Sequence, residues 1–365
     1  MLHGHIQNRF LFVALLFVSM LPWSAQADIL LNKQHELNLF GDIRYRYEKD
    51  ERSGDEPRER TRSLLRARIG ASFKPNKLWM GKLRLSTNSS SSNSRDTTQS
   101  TSNTDKNDDF GLDQAFVAYT PSPLFNMVLG KADFAFYQQN EVFMDKDINP
   151  EAVSIITNLG GLSFSGTRIT LIENDWNKDV TADAYQMVYR NGGISFAYGV
   201  ATIDGHKQYG RDTNNDSTND VLGFQSDEYT IITAEEKRGN WVFGIEYITS
   251  NSDSADTARI LSYEQQLGPA YGFRIYKYMV EGMSVMGDGM FSQNDFPVEG
   301  NTGVSNFEGY KLQIDFITSK TSSVDLSFYE MERIHDPASL RPTASDAIMT
   351  RNKQKRMQLN FNVQF

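Results

Sequence analysis

No cysteine occurs among the 365 residues. That excludes a disulfide scaffold, a thiolate metal centre and a cysteine nucleophile. Long apolar runs are also missing. A helical membrane span needs about 20 such residues in a row, yet the mean hydropathy is -0.50. Basic residues are outnumbered, 37 Lys+Arg against 46 Asp+Glu, and a pI near 5.2 argues against nucleic acid as a partner. Histidine is scarce: beyond residue 27 there are only His35, His206 and His335. No serine or carboxylate stands at a recognisable catalytic spacing from them, which disfavours an enzyme. Aromatic residues, by contrast, abound, with 23 Phe, 16 Tyr and 4 Trp. Together with 39% hydrophobic residues they exclude disorder throughout.

Residues 1–27 read as a secretory signal. Arg9 gives the positive start, Phe10–Leu21 a twelve-residue apolar core, and Ala25-Gln26-Ala27 a small-x-small cleavage site. Twelve residues cannot cross about 30 Å of hydrocarbon. The expected organisation is therefore a signal over 1–27 and one exported domain over 28–365.

After residue 28 helical spacing is hard to find, while period-two alternation recurs. Met357, Leu359, Phe361, Val363 and Phe365 interleave with Gln358, Asn360, Asn362 and Gln364. Tyr310, Leu312, Ile314 and Phe316 alternate with Lys311, Gln313 and Asp315, and similar runs begin at Trp241, Ile194 and Ile43. The connections form two populations that take turns. Short ones are 74–77, 121–123, 165–167, 191–193, 237–240, 267–270 and 318–322. Long polar ones are 48–59, 88–109, 135–152, 175–182, 204–227, 251–257, 280–306 and 333–353. Seven short and eight long connections in strict alternation require sixteen strands. The expected fold is an all-β, antiparallel, up-and-down transmembrane β-barrel of sixteen strands, with fourteen or eighteen as alternatives. All nine prolines beyond residue 27 fall in a proposed turn or loop, as a hydrogen-bonded ladder demands. Alternation is weak only at 153–174 and 258–266.

A soluble sandwich alternates too. Here, however, the polar face of nearly every strand carries Arg, Lys, Asp, Gln or Asn, so water is needed on that side. A sixteen-stranded cylinder is wide enough to hold it. Closure also satisfies every backbone hydrogen bond, as lipid requires. Trp79, Tyr119, Trp241 and Tyr329 near strand ends suit interfacial aromatic girdles.

The C-terminus, ending inside a strand on Phe365, resembles that of Gram-negative outer-membrane porins. So do the signal, the charged first strand Phe40–Tyr47 and the arginine-rich second strand before a short turn. No single motif marks one subgroup, and the chain is similar to the broad group of general or substrate-specific porins. Alternation from residue 36 leaves no plug segment of the kind TonB-dependent transporters carry. The resemblance implies location in the outer membrane of a Gram-negative bacterium, among its lipids and lipopolysaccharide. It also implies passive diffusion of small hydrophilic solutes, and recognition of Phe361, Val363 and Phe365 by the barrel-insertion machinery. It leaves open whether the barrel is a monomer or a homotrimer.

If the odd-numbered residues of the first strands face lipid, the even ones line the lumen: Arg44, Arg46, Arg62, Arg66, Arg68, Lys82 and Arg84. Arginine suits such a wall because it stays charged and grips carboxylates or phosphates bidentately. The arginines could instead pair with Asp42, Glu48 or loop carboxylates and stiffen the wall. In general porins the third loop folds inward opposite a basic cluster. By that resemblance Glu141, Asp145, Asp147 and Glu151 would form a constriction with a transverse field. Asp212, Asn214, Asp216, Thr218 and Asp220 imitate the front of a calcium loop, but Ser217 replaces its glycine and Gly223 its final glutamate. A solvated loop is the better reading, and no metal or cofactor is expected. Besides a porin, an adhesin-like or structural barrel with a closed lumen fits the pattern, and an outer-membrane enzyme fits it less well.

Overall fold

The computed structural model describes residues 27–32, 35–53, 57–87, 97–99, 110–139, 143, 149–172, 180–204, 209–211, 220–222, 227–250, 257–281, 307–334 and 353–365. Sixteen long strands succeed one another. The first eight are β1 His35–Ser53, β2 Arg58–Lys74, β3 Trp79–Thr87, β4 Phe110–Ser122, β5 Phe125–Lys131, β6 Glu151–Leu159, β7 Leu162–Ile172 and β8 Val180–Asn191. Then follow β9 Ile194–Asp204, β10 Asp227–Arg238, β11 Trp241–Ser250, β12 Thr257–Gln266, β13 Tyr271–Glu281, β14 Phe307–Ser319, β15 Ser322–Arg333 and β16 Lys353–Gln364. Each pairs antiparallel with the next, and β16 returns to β1 from Asp42↔Gln364 to Ser53↔Lys353. The sheet is thus a closed barrel of sixteen strands. Three short ladders supplement it. Ala27–Asn32 pairs with the start of β1, Thr97–Gln99 pairs with β2 beside Ser63–Leu65, and Tyr209–Arg211 pairs with Asp220–Leu222.

Directly opposed residues of antiparallel neighbours share a face, so register carries one inward row around the wall. Such a row runs Arg60, Asp50, Arg356, Tyr329, Lys311, Tyr276 and Ser262 from β2 back through the closing seam to β12. The outward face is apolar: Ile43, Tyr45, Ile69, Leu83, Ile155, Phe196, Ile245, Leu261, Leu312 and Phe328 are all exposed there. This is the oily band a bilayer requires.

The structure departs from the expected connections in two places. The first long connection shrinks from 48–59 to residues 54–57, because Glu48, Asp50 and Arg52 find partners on the lumenal wall and stay in β1. The third short turn is not 165–167 but Gly160-Gly161, where Gly160 takes φ 65°, open to glycine without strain. Ser165, Gly166 and Thr167 pair unbroken with both β6 and β8. Pro121 lies in the last turn-ward residues of β4, where the register with β5 shifts. Of the proposed girdle, Trp79 stacks on Tyr119 at 4.6 Å between centroids and Trp241 is exposed, but Tyr329 is buried on the lumenal face. The proposed signal, apart from Ala27, lies outside the described residues.

Candidate functional site: the lumen and its inserted loop

On the arc from β16 through β1 to β4, alternation turns every charged residue of the expected basic wall inward. Arg44 opposes Arg66, Glu48 opposes Arg62 and Asp42 opposes Arg68 across β1 and β2, while Arg68, Gly70 and Ser72 oppose Ser86, Arg84 and Lys82. The arginines are interlaced with acids. Asp42 accepts from Arg66 at 3.1 Å and Arg68 at 2.7 Å, and Glu48 accepts from Arg62 at 2.7 Å. Arg84 pairs with Asp113. Across the closing seam, Gln358 donates to Glu48 at 2.9 Å, and Gln354 and Arg356 to Asp50 at 2.6 and 3.4 Å. Arg46 donates to Asn360 at 2.6 Å. Glu48 and Asp50 are each 1% exposed, so carboxylates from the first strand are held by donors from the last. Charged hydrogen bonds of this kind are stronger than neutral ones, and they bridge the one pairing that joins the two ends of the chain.

The opposite arc is different. Ile169, Ala182, Ala201, Tyr229, Ile231, Ile248, Ile260, Tyr278 and Val280, on β7 to β13, also face inward yet are buried and apolar. Packed against this cluster are Phe134, Phe136 and Phe143 of the connection between β5 and β6. Phe134 and Phe136 stack at 5.2 Å, and Phe143 lies 5.5 Å from Phe136 and 5.9 Å from Tyr229. Phe136 fits against Gly199, where a β-carbon would collide with its ring. Polar bonds pin the same segment. The Tyr137 amide donates to Gln186 at 2.6 Å, the Gln139 amide donates to Glu246 at 3.1 Å, and the Tyr137 hydroxyl donates to Glu235 at 3.2 Å. Burial, and after it the Glu235 carboxylate, pushes the Tyr137 phenol up to about 12, which keeps it a donor. Residues 132–139 and 143 of the third long connection therefore fold into the barrel and pack on one side of it.

Three comparisons with known proteins bear on this arrangement. The family described as "Putative porin" matches residues 52–164, under a third of the chain, spanning the arginine-rich strand and the inserted connection. The closed sixteen-stranded barrel described above agrees with that match. OmpF of Salmonella typhi, in complex with daunomycin, superposes with a TM-score of 0.60 at 12% identity. It covers 93% of this chain and 100% of its own. OmpT of Vibrio cholerae, described as outer-membrane expressed, gives 0.56 at 11% identity over 92% of this chain and 100% of its own. At such identities the likeness is one of fold. No curated protein matches the chain in sequence.

The residues expected from the sequence to act at the site divide into three groups. All seven basic-wall residues face the lumen on neighbouring strands. Of the acidic set, Glu141, Asp145 and Asp147 lie outside the described residues. Glu151 does not belong to the loop: it opens β6, exposed, on the face opposite Ala152 and Ser154. Phe361, Val363 and Phe365 point outward from β16, and Phe365 exchanges backbone hydrogen bonds with Gly41 at 2.9 and 3.0 Å. The calcium-like residues Asp212, Asn214, Asp216 and Thr218 lie outside the described residues, and Asp220 begins a short strand. Sequence reasoning missed Arg52, Arg60 and Arg356, which extend the basic wall, and the apolar arc that seats the loop. Continuing the even-numbered face of β1, β2 and β16 would have found the three arginines.

Proposed function

We propose that this porin forms a water-filled channel for passive diffusion of small hydrophilic solutes, favouring anions, and carries no enzymatic activity. The single observation that supports the reading most is the division of the lumen. One arc is filled by an inserted loop, so the water path runs beside the arc bearing Arg44, Arg46, Arg62, Arg66, Arg68, Lys82 and Arg84. The cations there outnumber Asp42, Glu48 and Asp113, which hold Arg62, Arg66, Arg68 and Arg84 in place. A fixed row of guanidinium groups lowers the barrier for carboxylates and phosphates, and rings of charge set selectivity in pores. If Glu141, Asp145 and Asp147 face that row, a dipolar solute would turn as it passes. Lipopolysaccharide around the barrel and the insertion machinery reading the C-terminal strand remain part of the proposal.

Single-channel recording in a planar bilayer under a salt gradient tests the reading. Neutralising Arg44, Arg62 and Arg66 together shifts the reversal potential toward cations. An unchanged potential removes the arginine row from selectivity. A folded barrel without any conductance favours a closed, adhesin-like role instead.

A further inference from the structure

The neck of the inserted loop is tied at a β-bulge. Between β3 and β4 the register slips at Arg84/Leu85, so that two consecutive residues, Asp113 and Gln114, are buried. Bulges commonly re-aim side chains in this way. Gln114 Nε2 donates to Asp133 Oδ1 at 2.7 Å and to Asn149 Oδ1 at 2.8 Å. Those two acceptors stand at opposite feet of the connection. Asn149 Nδ2 donates in turn to Asp113 Oδ1 at 2.9 Å, and Asp113 pairs with Arg84 of the basic wall. A backbone bond from the Ala132 amide to the Pro150 carbonyl, 3.2 Å long, closes the neck beside them.

We propose that Gln114 is a positioning residue: it clasps both feet of the loop and so holds segment 132–139 in the lumen, setting the width of the channel. Three features favour a clasp over a filler. Gln114 is fully buried, and its amide nitrogen has both of its bonds spent on the loop rather than on the strand ladder. Its Oε1 has no hydrogen-bond partner among the described residues. Burying an unsatisfied acceptor costs stability, so the residue is poor as a core element and good as a double donor. Tyr137 and Gln139, at the far end of the same segment, are anchored on Gln186, Glu235 and Glu246. With the feet free the segment would be held at that end alone, and with the feet joined it is fixed at both ends. The effect on conductance rests on the channel reading above, whereas the effect on loop order does not.

The test uses the whole protein, purified in detergent and inserted in bilayers. Gln114→Leu keeps the volume and removes both donors. Amides of 132–139 are expected to exchange with deuterium about tenfold faster, as losing one or two net hydrogen bonds implies. The open channel should flicker closed more often at an unchanged reversal potential. Because the chain has no cysteine, Asp133→Cys with Asn149→Cys gives a second, reversible reading. The reduced pair should exchange fast and flicker, and the oxidised pair should restore the slow, quiet state. Exchange as slow in folded Gln114→Leu as in the parent overturns the clasp. Should that variant not fold, equal exchange in the reduced and oxidised cysteine pair overturns it. A parent barrel that never conducts defeats the channel reading alone, since exchange still decides the clasp.

Discussion

The two arcs of the lumen are built from the same kind of strand and differ in what their inward faces are asked to hold. From β16 to β4 the inward positions carry arginine and carboxylate, bonded sideways from strand to strand. From β7 to β13 many carry Ile, Ala, Val or Tyr, and three phenylalanines of one connection pack against them. The first arc is ordered by ion pairs within the wall. The second faces protein and is ordered by packing across the lumen. An up-and-down barrel of this width cannot fill its interior with strand side chains alone. Narrowing it takes an inserted segment, and an inserted segment needs a dry seat. One side of the lumen seats the loop, and under the proposed function the other is left to the solute.

If the charged arc is structural as well as selective, its most interior member should cost most to remove. Arg356 reaches Glu48 at 3.6 Å and Asp50 at 3.4 Å, with all three side chains almost fully buried. Arg356→Leu leaves two buried carboxylates short of a cation beside the closing seam. Breaking such a pair costs about 3–5 kcal/mol, and the loss should fall on the whole barrel. Thermal unfolding in detergent, followed by the mobility shift of heated against unheated samples, measures it. A loss below about 1 kcal/mol, the range of exposed pairs, would mean that the seam is held by its backbone ladder alone.

The apolar arc should answer differently. Phe143→Ala removes a ring with no exposure from between Phe136 and Tyr229. Deleting a buried phenylalanine costs about 3–5 kcal/mol where the site cannot close. A loop can settle, which puts the expectation near the lower bound. The loss belongs to loop docking and not to the barrel, so the melting temperature should stay while single-channel conductance rises. A fall in melting temperature with constant conductance would erase the distinction between the arcs.

Much of this was legible beforehand, and the gaps have physical causes. The connections alone led to sixteen strands, because turn chemistry and polar loops are local. Inward placement of Arg44, Arg62 and Lys82 followed from alternation. Two misreadings were of composition. The dense charge of 48–59 looked like a loop, since pairing of Glu48 with Gln358, some 310 residues away, is invisible locally. Ser165-Gly166-Thr167 looked like a turn, since nothing local shows Tyr185 opposite Gly166. The weak alternation at 153–174 and 258–266 was itself a signal. Ile169, Ala258 and Ile260 are apolar on the inward face, and a strand that is apolar on both faces must have protein on its inner side. Read that way, those two stretches point to the seat of the loop. The bulge at Asp113-Gln114 left no such trace.

The smallest effect should come from a charge pair of the same arc that lacks packing around it. Lys74 Nζ meets Glu36 at 3.2 and 3.4 Å near the short-turn end of β1 and β2, on the same even-numbered face as the arginines. Both side chains are close to half exposed. In water each charge keeps most of its hydration, the long lysine loses rotamer freedom when held, and salt screens the attraction. Exposed pairs of this kind contribute about 0–1 kcal/mol. Lys74→Ala should therefore leave the melting temperature within error, and raising the salt should not separate it further from the parent. The comparison with Arg356→Leu is sharp because chemistry, strand face and neighbouring strands are alike, and only burial differs. If Lys74→Ala proved as costly as Arg356→Leu, depth in the wall would not be what makes the charged arc structural, and the ladder would act as one cooperative network from mouth to seam.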